Sequence, residues 1–336
     1  MQPFTSRLLA AMLMYFISLG VEAQVNKTTM KVDTNNPLLC DTVDGACVVP
    51  GLVESDSIVA QASKLKPIKI EYYTDPICSS CWGIEPQLRK LKLEYGDYFE
   101  IEYKMGGLLK DWTYNSGGIS KPSDVAHHWD EVSKYYKMPI DGNVWLTDPL
   151  DSSYPPSIAF KAAQMQNEKL ALVFLRKLRE MVFIENKNIT KWEFVQDAAY
   201  YAGLDTLKLK NDIANSAKTA FQKDLMDSRN SGVRGFPTLF FIDSSGNKNT
   251  VYGFRPYEQF ENATLKAFPE AKKKVIQLSV AEIFHKYPTL TTQEFASISN
   301  ITFNNAAIDL EKLYLSGTLN KIHINNGDLW IWKSIK

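Results

Sequence analysis

The sequence predicts an α/β chain in which an open sheet is interrupted by a large helical block and followed by a small α+β module. Three observations carry this. Alternating strand patterns occupy Pro67–Tyr73 and Phe99–Met105, helical periodicity without strand signals fills about 120–231, and β-structure returns at Thr238–Asp243. The 336 residues are 45% hydrophobic, enough to fill a substantial core in one large domain with an appendage, or in two. Lys and Arg together number 38 and so do Asp and Glu, so no global field recruits nucleic acid or an anionic membrane.

The N-terminus reads as an address. Arg7 precedes an apolar run from Leu8 to Val21, and Val21-Glu22-Ala23 fits a cleavage site, so residues 1–23 are expected to be a secretory signal peptide. Export to the bacterial periplasm or medium follows, with no membrane span left after cleavage. Two alternatives stand: a membrane anchor, for which the run is short of about 20 residues, and a cytoplasmic chain that starts at Met30. Residues 24–64 read as a flexible, Asn/Thr/Asp/Ser-rich arm carrying Cys40 and Cys47.

The main domain is expected over 65–268. Its first strand ends at Thr74-Asp75-Pro76, and a helix from Cys78 to Glu94 follows, kinked by Pro86 and stopped at Gly96-Asp97. Gly106-Gly107 breaks the next strand. In the insertion, Ser123-Asp124 caps a helix to about Met138, Pro155-Pro156 opens another, and Ala171 to Ile184 forms a third. Thr190 with Glu193 resembles a capping box for a helix ending at Gly203, and one helix is expected from Leu207 to about Asn230. A hairpin around Ser244–Asn247 and a helix over Tyr257–Phe268 complete the domain. Pro269 to Lys274 marks a boundary. Residues 275–336 read as three short helices and a hairpin around Asn325-Asn326-Gly327, a winged-helix-like module.

Chemistry concentrates in Cys78-Ser-Ser-Cys81. Thiol–disulfide exchange needs a thiolate and a second thiol near enough to resolve a mixed disulfide. A Cys-x-x-Cys at a helix start offers both, because unpaired N–H groups and the helix dipole lower the first thiol's pKa. The competing reading is half a zinc site, to be completed from His127, His128, Cys40 and Cys47; adjacent histidines point to different helix faces, which disfavours it. No metal or organic cofactor is expected. A second motif, Gly235-Phe236-Pro237, enters a strand, and the Phe236–Pro237 bond is expected to be cis, with the Phe236 backbone aimed at an extended substrate.

The order of elements and these motifs resemble the thioredoxin superfamily, and the long helical insertion narrows this to DsbA-like oxidoreductases. Thr74-Asp-Pro-Ile-Cys-Ser-Ser-Cys-Trp-Gly83, Met105-Gly-Gly107 and Gly235-Phe-Pro237 look most like the branch holding FrnE-type proteins and the SpxH (YjbH) proteolysis adaptors. The resemblance covers about 66 to 268. It implies a thioredoxin-like fold, Cys78 as nucleophile, Cys81 as resolving thiol and Pro237 as cis-proline, in a protein-disulfide oxidoreductase or isomerase. Its partners are then protein thiols or disulfides and a redox partner that regenerates the pair. The alternative within the same branch is a non-catalytic adaptor that binds a partner protein.

Lesser candidates have plainer readings beside them. Cys40 and Cys47 are an auxiliary redox pair or a static disulfide. Asp75 is a proton relay or a turn residue. Trp82 walls the substrate site or packs the core. Glu85 reads as solvated helix surface, and Phe174, Phe183, Tyr200 and Tyr201 read as core. Residues 271–336 hold eight Lys, five acidic residues and no Arg, so the C-terminal module is assigned to protein contact rather than nucleic acid.

Overall fold

The computed structural model describes residues 66–113 and 120–333 together with the backbone pair Cys47–Val48. The leader, Met30 and Cys40 lie outside the described residues. In chain order come β1 (Cys47–Val48), β2 (Ile68–Thr74), α1 (Ser79–Gly83), α2 (Glu85–Tyr95) and β3 (Phe99–Met105). Then follow α3 (Pro122–Tyr136), α4 (Val144–Thr147), α5 (Tyr154–Gln166), α6 (Glu168–Phe183), α7 (Trp192–Ala202), α8 (Thr206–Ala214) and α9 (Ser216–Asn230). The chain continues through β4 (Gly235–Phe236), β5 (Thr238–Ile242), β6 (Lys248–Tyr252) and α10 (Tyr257–Ala267). It ends with α11 (Val280–Lys286), β7 (Thr289–Thr291), α12 (Thr292–Ser299), α13 (Phe303–Leu315), β8 (Leu319–Ile324) and β9 (Gly327–Trp332).

The main sheet has the order β3-β2-β5-β6, with β2 parallel to β3 and antiparallel to β5. Ile68, Ile70, Tyr72, Leu239 and Phe241 are wholly buried in it, and this is the mixed α/β, thioredoxin-like fold with its large helical insertion, α3 to α9. The expected kink is a full break. Ile84 separates α1 from α2, where Pro86 lacks the N–H that a continuous helix needs.

Several local expectations change. Lys121, not Ser123, caps α3, with the Asp124 carboxylate accepting from the Ser120 and Lys121 amides. Thr190 makes no capping box, because its N–H and hydroxyl are both spent on Asn188 Oδ1. The helix expected after Leu207 is two helices, divided at Asn215. Tyr200 and Tyr201 are exposed, since α7 buries Val195, Ala198, Ala199 and Ala202 instead.

The C-terminal residues form a second core around Phe284, Leu290, Phe295, Ile298, Leu310 and Trp330. Their sheet order is β7-β9-β8, and β7 lies between α11 and α12. This unit rests on α2: Leu93 packs against its core, and Arg89 Nη1 donates to the Thr289 carbonyl at 2.9 Å.

Candidate functional site

β2 delivers the chain to Thr74, and the next turn is clamped by Asp75. Its carboxylate accepts from Ile77 N–H at 3.0 Å, Leu108 N–H at 2.8 Å and the Ser153 hydroxyl at 2.8 Å. Asp75 is wholly buried, and burial pushes its pKa up to about 6, with those three hydrogen bonds opposing. The turn reading therefore describes what Asp75 touches. Cys78 then caps α1, its sulfur accepting the Cys81 N–H at 3.2 Å.

The two sulfurs are brought together, are not joined to one another as a disulfide, and are both completely buried. Their electrostatics differ from the expected order. Burial pushes the Cys78 thiol up, more than the Cys81 N–H can offset. Burial acts the same way on Cys81, but the contact with Cys78, the Arg179 charge and the Thr74 hydroxyl together bring it below its ordinary value. Burial therefore opposes a thiolate at Cys78, where the sequence predicts a lowered first thiol. A five-residue helix with a buried N-terminus supplies too little field to outweigh the desolvation of Cys78.

Arg179 organises the far side of the pair and is 1% exposed. Its guanidinium donates to Glu85 Oε1 and to Thr74 Oγ1, each at 2.6 Å. Glu85 is thus an ion-pair partner rather than a solvated residue. Arg176 lies over the Trp82 ring at 4.3 Å and forms a two-pronged pair with Glu294 of α12 at 2.7 and 3.1 Å. Arg89 joins the same Glu294 at 3.0 Å. A chain of buried charges therefore runs from the cysteine helix to the C-terminal unit. Sequence reasoning missed Arg179, although its place between Leu175 and Val182 on the apolar face of α6 was a usable signal.

Trp82 belongs to the core: it is fully buried, stacks on Phe183 at 5.6 Å and donates to the Pro139 carbonyl at 3.1 Å. Ser80 shares a 2.7 Å hydrogen bond with the Tyr136 hydroxyl.

On the other side, the Phe236–Pro237 peptide is cis, as the sequence predicts. Register places Tyr73 opposite Thr238, which sets Pro237 beside the end of β2 and the turn into the cysteines. The Phe236 ring is buried against Gly106, where an added Cβ would lie 1.8 Å from a ring carbon. Gly106 N–H also bonds the Thr74 carbonyl at 2.8 Å, so the Met105-Gly-Gly107 motif exists to let this strand end approach both. The backbone of β4 is paired by the chain itself: β1 lies antiparallel to it, with Cys47 opposite Phe236 and Val48 opposite Gly235. Of the candidate auxiliary cysteines, Cys47 is thus placed by its backbone at the cis-proline edge.

A family model described as thioredoxin matches residues 72–262. The ClpXP adapter protein SpxH of Halalkalibacterium halodurans is 34% identical over 304 residues, covering 88% of this chain and 97% of that one. The chain belongs to the SpxH family of thioredoxin-fold proteins. The SpxH of Bacillus subtilis, also a ClpXP adapter by name, is 28% identical over 79% of this chain and 89% of its own. A proposed protein disulfide isomerase from Nitrosomonas europaea shares the fold, with a TM-score of 0.53 and 18% identity over 61% of this chain and 98% of its own.

These relatives overturn two expectations. The chain is not assigned as a protein-disulfide oxidoreductase or isomerase, and protein thiols with a regenerating redox partner are not its assigned partners: the SpxH relatives are named for adapting a protease, not for catalysis. The buried cysteines agree physically, since a thiol with no accessible surface presents no nucleophile to another protein.

Proposed function

We propose that this chain is an adapter that brings a partner protein to the ClpXP protease, holding an extended segment of that partner along the cis-proline edge. The observation that carries the reading is the similarity to adapters along nearly their whole length, 97% in the first case. The pairing of β1 with β4 supports the choice of edge, because the backbone there already accepts an extended strand. Cys78 and Cys81 serve in this reading as buried packing at the head of α1 and not as reagents. Adapter work also takes up the cytoplasmic alternative, a chain starting at Met30, which N-terminal sequencing of the cellular protein tests.

The reading is tested in cells lacking this chain. Proteins that accumulate there are expected to accumulate without ClpX too, and a C78S/C81S chain is expected to restore their turnover. Accumulating sets that do not overlap refute the reading.

A further inference from the structure

Between α2, α6 and the segment leading into β7 lies a cavity of about 270 Å³. Its charges do not balance. Three guanidiniums on the wall meet three carboxylates: Arg179 meets Glu85, while Arg89 and Arg176 share Glu294 and Arg176 also meets Glu180. Two ammonium groups are left over. Lys92, half-buried, donates to the Tyr103 hydroxyl at 2.7 Å and has no carboxylate within 4.0 Å among the described residues. Lys286 stands exposed at the rim, likewise without an ion-pair partner among them. Arg179 adds a buried Nε–H that has no acceptor. Cationic groups thus outnumber carboxylates on this wall, and Lys92, kept charged by the Tyr103 phenol and the field of Glu85, has further N–H donors to offer an incoming anion.

The remaining wall selects the kind of anion. Leu172, Leu175 and the Tyr103 and Tyr287 rings are apolar. A hydrated dianion such as phosphate gains nothing from them and finds only one partly buried free ammonium. A hydrocarbon body gains from their burial. Ligand pockets typically span about 300–1,000 Å³, so this one, just below that range, takes a small molecule. Entry is open, because Lys92, Tyr103, Leu172, Lys286 and Tyr287 also line a wider trough beside the edge strand β3.

We infer that this cavity binds a small amphipathic monocarboxylate, with the carboxylate on Lys92 and the hydrocarbon body against Leu172, Leu175 and Tyr103. The inference is independent of the adapter reading. Octanoate and octan-1-ol, which share a chain and differ in charge, are titrated into the full-length protein by calorimetry. Saturable octanoate binding is expected, at least tenfold tighter than octanol. Lys92→Met is expected to bring octanoate down to the level of octanol. Val173→Trp, at a cavity-lining position that is 41% exposed, is expected to block both ligands without changing the melting temperature of the free protein. Equal binding of acid and alcohol, undiminished octanoate binding by K92M, or no saturation at millimolar octanoate overturns the inference. Should K92M fail to fold, V173W decides: octanoate binding that survives the plug overturns it as well.

Discussion

Replacing Arg179 with Met isolates what the buried charge does. The side chain is 1% exposed, donates to Glu85 and Thr74, and places its charge where it favours the Cys81 thiolate. Methionine nearly fills the volume but leaves the Glu85 carboxylate, only 16% accessible, with no ion pair but the long 3.9 Å contact to Arg89. Breaking a buried pair from one side costs about 3–5 kcal/mol; because Glu85 keeps some access to water, the lower end, about 3 kcal/mol, applies. For a chain of this size that corresponds to a fall in melting temperature of about 4–5 °C. Urea unfolding followed by tryptophan fluorescence measures it. The second half of the experiment is E85L/R179M, which removes both charges and is expected to recover most of the loss, since the cost lies in the orphaned carboxylate. A loss below about 1 kcal/mol in R179M, or a double variant no better than the single, refutes the reasoning.

Two buried groups should oppose each other in the pH dependence of stability. Asp75, raised to about 6 when folded, makes stability fall by about 3 kcal/mol as pH rises from about 4 past 6, because the native state holds the proton longer. His128, which burial lowers to about 4, makes stability rise by about 3 kcal/mol over nearly the same window, because the unfolded state holds the proton longer. D75N is expected to expose the rising slope and H128F the falling one in denaturant midpoints from pH 4 to 7; parallel curves contradict both assignments. Gly106→Ala forces a methyl into the Phe236 ring and is expected to cost about 3 kcal/mol in the same unfolding assay, with F236L restoring part of it; a neutral G106A refutes the packing argument. Replacing Cys47 and Val48 together by proline removes both β1 amides and is expected to tighten partner binding by freeing the edge; unchanged affinity speaks against that edge as the docking site.

Much of this site is legible in one dimension because its parts are local. The Thr74-Asp-Pro turn, the cysteines at a helix start, the break at Pro86 and the cis bond at Pro237 all follow from neighbours in sequence. What escapes is set by distant packing. Arg176 and Glu294 are separated by more than a hundred residues, and although the apolar face of α6 hints that Arg179 is buried, nothing in that helix names its partners Glu85 and Thr74. β7 has three residues, too few for alternation to register. The same Cys-x-x-Cys pattern reads as an exposed nucleophile or as buried packing, and only the tertiary cover over Cys78 distinguishes them. That cover is what the motif by itself leaves open.

Reconstitution tests the adapter claim most directly. Purified ClpXP, the full-length chain and a protein that accumulates in its absence are combined, and loss of that protein is followed over time. Degradation is expected to be slow without the chain, to accelerate at least tenfold with it, and to keep that acceleration with C78S/C81S. No acceleration by the wild-type chain, or acceleration that vanishes with the two cysteines, contradicts the account.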